Sequence, residues 1–244
     1  MFFGYGFGLY MDTGLIFVII AGIFSIIASV RVNSTFEKYS KMATGRHLTG
    51  EMAARMILDS NGLHNIRVER VSGKLSDHYD PKAKVIRLSD SVHSSTSVAA
   101  VGVAAHEAGH AVQHATAYKP IKLRNKIVPI ANIGTMAGPY LVMIGLLMSY
   151  GTKYSPMGDI FAYSGIIFFS LAVLFHLITL PVELDASRRA IATLSNGGYI
   201  EGQEIPAARK VLRAAAMTYV AAAAVSLAQL LRLVMLVSGR RRDD

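Results

Sequence analysis

The 244-residue chain contains no cysteine. That absence excludes disulfides, thiolate zinc sites and a cysteine nucleophile together, so any metal must be held by histidine and carboxylate. Charged residues are also scarce, at 17%, where a soluble domain carries roughly 25%. With 52% hydrophobic residues and a mean hydropathy of +0.38, the deficit points to a membrane protein. Residues 1–12 hold no Lys or Arg, and no A-x-A cleavage pattern follows them. The start of the chain therefore reads as a retained anchor rather than a signal peptide. There is no internal repeat. The formal net charge of +9 in such a chain marks cytoplasmic flanks and not nucleic-acid binding.

What is present organises around four apolar stretches near the roughly 20 residues a spanning helix needs. They cover about 14–30, 127–150, 160–180 and 214–237. The second and third form a hairpin whose loop carries Gly151, Pro156 and Gly158. Phe2, Phe3, Tyr5, Phe7 and Tyr10 suggest an interfacial aromatic belt. Basic residues cluster after the first stretch, before the second, and between the third and fourth, whereas the hairpin loop has only Lys153. The positive-inside rule puts segments 32–126 and 183–210 on the cytoplasmic side of a multi-pass protein of the cell membrane. Arg240, Arg241 and Arg242 run against this orientation if the fourth stretch spans fully.

The expected fold is a mainly α membrane protein: about four transmembrane helices plus a small α+β, zincin-like cytoplasmic region. The domains read as an anchor over 1–31, the α+β region over 32–126, a transmembrane hairpin over 127–182, a cytoplasmic helix over 183–210, and a final apolar helix with a basic tail over 211–244. In the α+β region, Thr49 can cap a helix running to about Ser60, with Gly62 as its stop. Ile66 to Val71 alternates as a half-buried strand does, and Val85 to Leu88 reads as a second short strand after the Asp80-Pro81 turn. Ser94 to Ser97 offer N-caps for a helix over about 97–118 that stops before Pro120.

That helix carries His106-Glu107-Ala108-Gly109-His110, an HExxH pattern. Positions i and i+4 share a helical face, so both imidazoles reach one zinc ion while Glu107 lies beside it to take a proton from water. Apolar flanks imply burial, and a buried Glu beside two His needs a partner or a metal. Gly109 costs about 1 kcal/mol in a helix interior, so its missing side chain admits a close neighbour. A catalytic zinc takes three protein ligands. Glu183, just past the third stretch, is the expected third, projected from a helix that starts near Pro181. Asp185 is expected to bond the outer nitrogen of a ligating His. Tyr219, His176 and Arg188 are candidate oxyanion or supporting groups. His114 reads as supporting or structural; His47, His64, His78 and His93 read as surface residues.

The chain resembles the YugP-like zinc-dependent membrane metallopeptidases, distant relatives of the HtpX-like and Ste-type membrane proteases. The resemblance rests on Ser76-Asp-His-Tyr-Asp-Pro81, Val85-Ile-Arg-Leu-Ser89, Gly102 to His110, Pro181 to Ser187 and Val211 to Val220. It implies one zinc ion held by His106, His110 and Glu183, with Glu107 as acid/base, acting on a peptide or protein substrate. The wider relatives carry E-x-x-A-D; Glu183 and Ala186 fit, but Ser187 replaces the Asp, and Asp185 is expected to substitute for it. The resemblance further suggests that the strand Val85 to Leu88 offers an edge to substrate backbone. Two rivals remain. An intramembrane protease would draw a ligand from an Asp-Gly motif, which this chain lacks. A non-catalytic zinc scaffold would not need Glu107.

Overall fold

A computed structural model describes residues 13–73, 76–150 and 155–239. The proposed aromatic belt at Phe2 to Tyr10, the loop residues Gly151 and Lys153, and Arg240 to Arg242 lie outside the described residues. Among these, the order of elements is α1 (Thr13–Ser40), α2 (Gly50–Ser60), β1 (Arg67–Val71), β2 (His78–Asp80), β3 (Val85–Ser89), α3 (Asp90–His93), α4 (Val98–Ala115), α5 (Lys119–Met148), α6 (Pro156–Asn196) and α7 (Glu204–Gly239). The protein is mainly helical. Helices α1, α5, α6 and α7 are each long and apolar enough to cross a membrane.

The chain divides into two units. One holds the start of α1 through Ser25, residues 127–176 and α7 from Ala221 onward. Here α5 and α6 approach through small residues: a Cβ at Gly165 would fall 2.6 Å from the Gly138 carbonyl oxygen. Such contacts let helix backbones meet where no hydrophobic effect drives them together. Outward-facing apolar side chains remain open, Ile20 at 59% and Ile167 at 65% exposure. In water that surface would be costly; in lipid it is not.

The other unit, residues 26–126 and 177–220, carries the chemistry. Thr49 caps α2, its hydroxyl accepting from Met52 N at 3.1 Å, and the chain leaves α2 through Gly62 at φ +70°. Ser97 caps α4 by accepting from Ala100 N at 3.2 Å. The sheet order is β1-β3-β2, with β1 parallel and β2 antiparallel to β3. Strand β3 is therefore central and cannot offer an edge, contrary to what the family resemblance suggested. The reason is burial: Val85, Ile86, Leu88 and Ser89 are all fully buried, as the middle strand requires. The outer strands are β1 and β2, the latter three residues that alternation alone does not reveal. Asp80 accepts from Lys82 N and Ala83 N, at 2.9 and 3.0 Å, and so turns β2 into β3.

Three helix boundaries differ from those read in the sequence. Helix α4 ends at Ala115, with Ala117 at φ +53° turning the chain into α5. Helix α5 starts at Lys119, with Pro120 in its first turn where a missing N–H costs nothing. No new helix begins at Pro181: α6 runs unbroken from Pro156 to Asn196 with Pro181 inside it. A proline removes one helical hydrogen bond, but Val182 and Glu183, directly after it, are buried, so tertiary packing accompanies the continued helix. The core of this unit, built on Ile57, Leu58, Ile86, Val101 and Leu194, backs the α4 face opposite the histidines.

Candidate metal centre

Helices α4 and α6 meet at Gly109. A Cβ there would sit 2.6 Å from the Ala186 carbonyl oxygen, so the neighbour that the glycine admits is the α6 backbone. This approach brings His106 and His110 on α4 against Glu183 and Ser187 on α6, each pair one helical turn apart. Glu183 Oε2 lies 3.2 Å from His106 Nε2 and 3.4 Å from His110 Nε2. The two imidazoles are edge to face, with centroids 4.7 Å apart. One donor atom from each of His106, His110 and Glu183 falls within 4.8 Å of the others.

The outer ring nitrogens are engaged as well. His110 Nδ1 lies 3.0 Å from Gln113 Oε1. Gln113 is fully buried, and its amide nitrogen donates to the Val182 carbonyl at 2.8 Å and to Asp185 Oδ2 at 3.0 Å. Those two acceptors set the amide orientation, so its oxygen faces His110 and takes the Nδ1 proton. The Nε2 lone pair is thereby aimed at the centre. Asp185 is itself held by Arg189 Nε at 2.6 Å and by Arg188. His106 Nδ1 lies 3.1 Å from Ser187 Oγ. On the carboxylate, Arg124 Nη1 donates to Glu183 Oε1 at 3.2 Å, leaving Oε2 to the histidine side. Arg124 Nε is buried with no hydrogen-bond partner among the described residues.

The donor set fits a zinc ion. Two imidazole nitrogens, that of His110 with its tautomer set by Gln113, and one carboxylate oxygen converge from three side chains, and each is steadied from behind. Glu183 is only 2% exposed; Arg124 offsets the charge at Oε1, while Oε2 faces the two imidazoles, where a further cation would be well placed. Burial alone would lower the His110 pKa; the hydrogen bond to Glu183 and the nearby carboxylates outweigh it and raise the value above the ordinary 6.5.

A cavity of about 320 Å³ opens on the same side chains. Glu107 and Tyr219 line it, with Tyr79 and His78 of β2, and His114 and Arg124 complete the wall. Glu107 makes no hydrogen bond or ion pair among the described residues, so its carboxylate is available to the cavity. Tyr219 interacts with Glu183. His114 packs edge-on to Tyr79 at 5.6 Å, and burial, with the charges of His110 and Arg124, lowers its pKa.

Not every candidate arrives here. Arg188 does not line this cavity; it pairs with Asp185 and lines a separate cleft with Leu184 and Leu212. His176 belongs to the other unit and lies edge-on to Phe175 at 5.3 Å. Asp185 reaches His110 only through Gln113, whereas Ser187, which looked like a loss, contacts His106 directly. One surface reading needs correction: His93 is only 15% exposed, packed near Glu51. His78 is exposed as expected, and it also lines the cavity from a strand edge. Sequence reasoning missed Arg124, taken for a membrane flank, and Gln113. The signal for Gln113 was available: it is a polar residue three positions after a candidate ligand, inside an apolar run.

Residues 14–238 match the family described as "Putative neutral zinc metallopeptidase". The chain belongs to this family. It is also 47% identical over 230 residues to the "Putative membrane protease YugP" of Bacillus subtilis (strain 168), covering 94% of this chain and 99% of that protein. No solved structure matches.

Proposed function

We propose that this protein is a membrane-embedded zinc metalloendopeptidase with a zincin-like site on the HExxH helix. The observation that carries the reading is the convergence of His106 and His110 Nε2 on the Glu183 carboxylate, with Glu107 free in the same cavity. His106, His110 and Glu183 would hold one zinc ion. When bound, zinc supplies Lewis-acid polarisation and makes water nucleophilic at neutral pH. Glu107 takes the proton from the attacking water and passes it to the leaving amine. Tyr219, on the cavity wall near Glu107, serves as donor to the developing oxyanion, the role first shared with His176 and Arg188. The peptide enters along β2, whose outer edge carries His78 and Tyr79. Charge asymmetry supports a multi-pass protein of the cell membrane with this site on the cytoplasmic side.

The test is direct. The full chain is purified in detergent, zinc is quantified by elemental analysis, and cleavage of an unstructured protein substrate is followed. Wild type should carry one zinc and cleave; Glu107→Gln should carry one zinc and not cleave. Equal cleavage by both would refute the assigned role of Glu107 and favour a scaffold. Unchanged zinc content in His106→Ala would refute the ligand set.

A further inference from the structure

We propose that a cleft lined by α1 and α7, separate from the metal centre, binds the phosphate headgroup of an anionic phospholipid. The cleft measures about 770 Å³ and lies within the site-bearing unit, a size suited to a small ligand (roughly 300–1,000 Å³). Arg31, Ser34, Thr35 and Lys38 line it from α1; Lys210 and Arg213 line it from α7. The α1 positions recur at intervals of three and four, so they form one helical face. Glu37 falls off that face, and no carboxylate lines the cleft.

Arg31, Lys38, Lys210 and Arg213 thus share one concavity without an ion-pair partner among the described residues. Lys38 has only the Tyr39 ring, 5.5 Å from its ammonium. Like charges gathered in this way repel one another, and an anion between them removes that cost. Apolar side chains line the cleft as well: Leu184 is 50% exposed, Met217 is 38% exposed, and Val220 follows Met217 by about one turn. A free phosphate has no use for those side chains. A phospholipid uses both, its phosphodiester among the cations with the Thr35 hydroxyl as a further donor, and its chains along Leu184, Met217 and Val220. Basic pockets between membrane helices are suited to such headgroups. The proposal rests on the reading that α1 and α7 cross a bilayer, but not on catalysis.

The full chain is reconstituted in nanodiscs of mixed phosphatidylcholine and phosphatidylglycerol, and retained lipids are counted by native mass spectrometry. Wild type should keep phosphatidylglycerol over phosphatidylcholine by more than about fivefold, the factor that a single cation near an anionic surface contributes. The quadruple variant Arg31→Gln, Lys38→Gln, Lys210→Gln, Arg213→Gln should lose the preference. A matched variant, Arg46→Gln, Arg67→Gln, Lys82→Gln, Lys84→Gln, should keep it. The single variant R213E, read in parallel, should weaken it even if the quadruple variant inserts poorly. Equal retention of both lipids by wild type overturns the proposal, as does equal loss in the two quadruple variants. Displacement of the lipid by soluble glycerol 3-phosphate assigns the cleft to a free phosphate and overturns the lipid. Bound acidic peptide or a second copy in place of lipid does the same. Failure of wild type to enter nanodiscs at all refutes the membrane reading instead, while zinc content and cleavage report separately on the metal centre.

Discussion

The two sides of the candidate metal centre are built differently. Its closed side, where α4 and α6 touch at Gly109 and Ala186, is dense with buried polar bonds: Gln113 and Asp185 behind His110, and Ser187 behind His106. Its open side, facing β2, leaves Glu107 without a partner in the cavity. The difference separates two tasks. Holding a cation needs donors that cannot rotate; moving a proton needs a carboxylate free to meet water and then the leaving group.

That division is open to test from each side. The largest expected effect is on the open side: Glu107→Gln should lower cleavage by about 10²–10⁴ with zinc content unchanged, as read by steady-state kinetics beside elemental analysis. Loss of zinc in this variant would show that the open side also holds the metal. On the closed side, Gln113→Leu or Asp185→Asn should weaken zinc binding about 10–100-fold in a competitive chelator titration. Ser187→Ala should fall at the lower end of that range, because it removes one hydroxyl contact and disrupts no chain of bonds. The reverse ranking would mean that His106, not His110, depends more on its support.

Proton competition sharpens the same comparison. The metal-free His110 pKa is raised above 6.5, so protons contest that ligand more strongly than a free imidazole. Zinc affinity should fall as pH drops through that raised value, beginning above 6.5, because the imidazole must be neutral to bind. Midpoints that do not move between wild type and Gln113→Leu would remove Gln113 from the set that tunes His110. The smallest effect concerns the helix contact itself. Gly109→Ala places a Cβ 2.6 Å from the Ala186 oxygen, and overpacking of this kind costs about 1–3 kcal/mol. A lowered melting temperature in detergent should report it.

Much of this was readable along the chain because it depends on neighbours in sequence. The caps at Thr49 and Ser97, the stop at Gly62 and the apolar stretches are local, and the structure places helices accordingly. The pairing of His106 with His110 follows from helical spacing alone. Legibility failed where distant segments set the outcome. The resemblance suggested an edge at strand β3, and nothing in five residues tells which neighbours flank them. Pro181 looked like a helix start, because its cost is local while the packing that holds α6 through it is not. Arg124 looked like a membrane flank, because only the α5–α6 geometry reveals its bond to Glu183.

By itself, then, the sequence determined the donor chemistry: no cysteine, two histidines one turn apart, a carboxylate between them, and enough apolar length for four spans. Only the tertiary structure decided how these become a centre. It took the absent Cβ of Gly109 to let α6 approach α4, and that approach delivered Glu183 to the imidazoles and set Gln113 and Ser187 behind the donors, while α5 brought Arg124 to Glu183. A ligand's identity is a property of one residue. Its aim is a property of the backbones that pack around it.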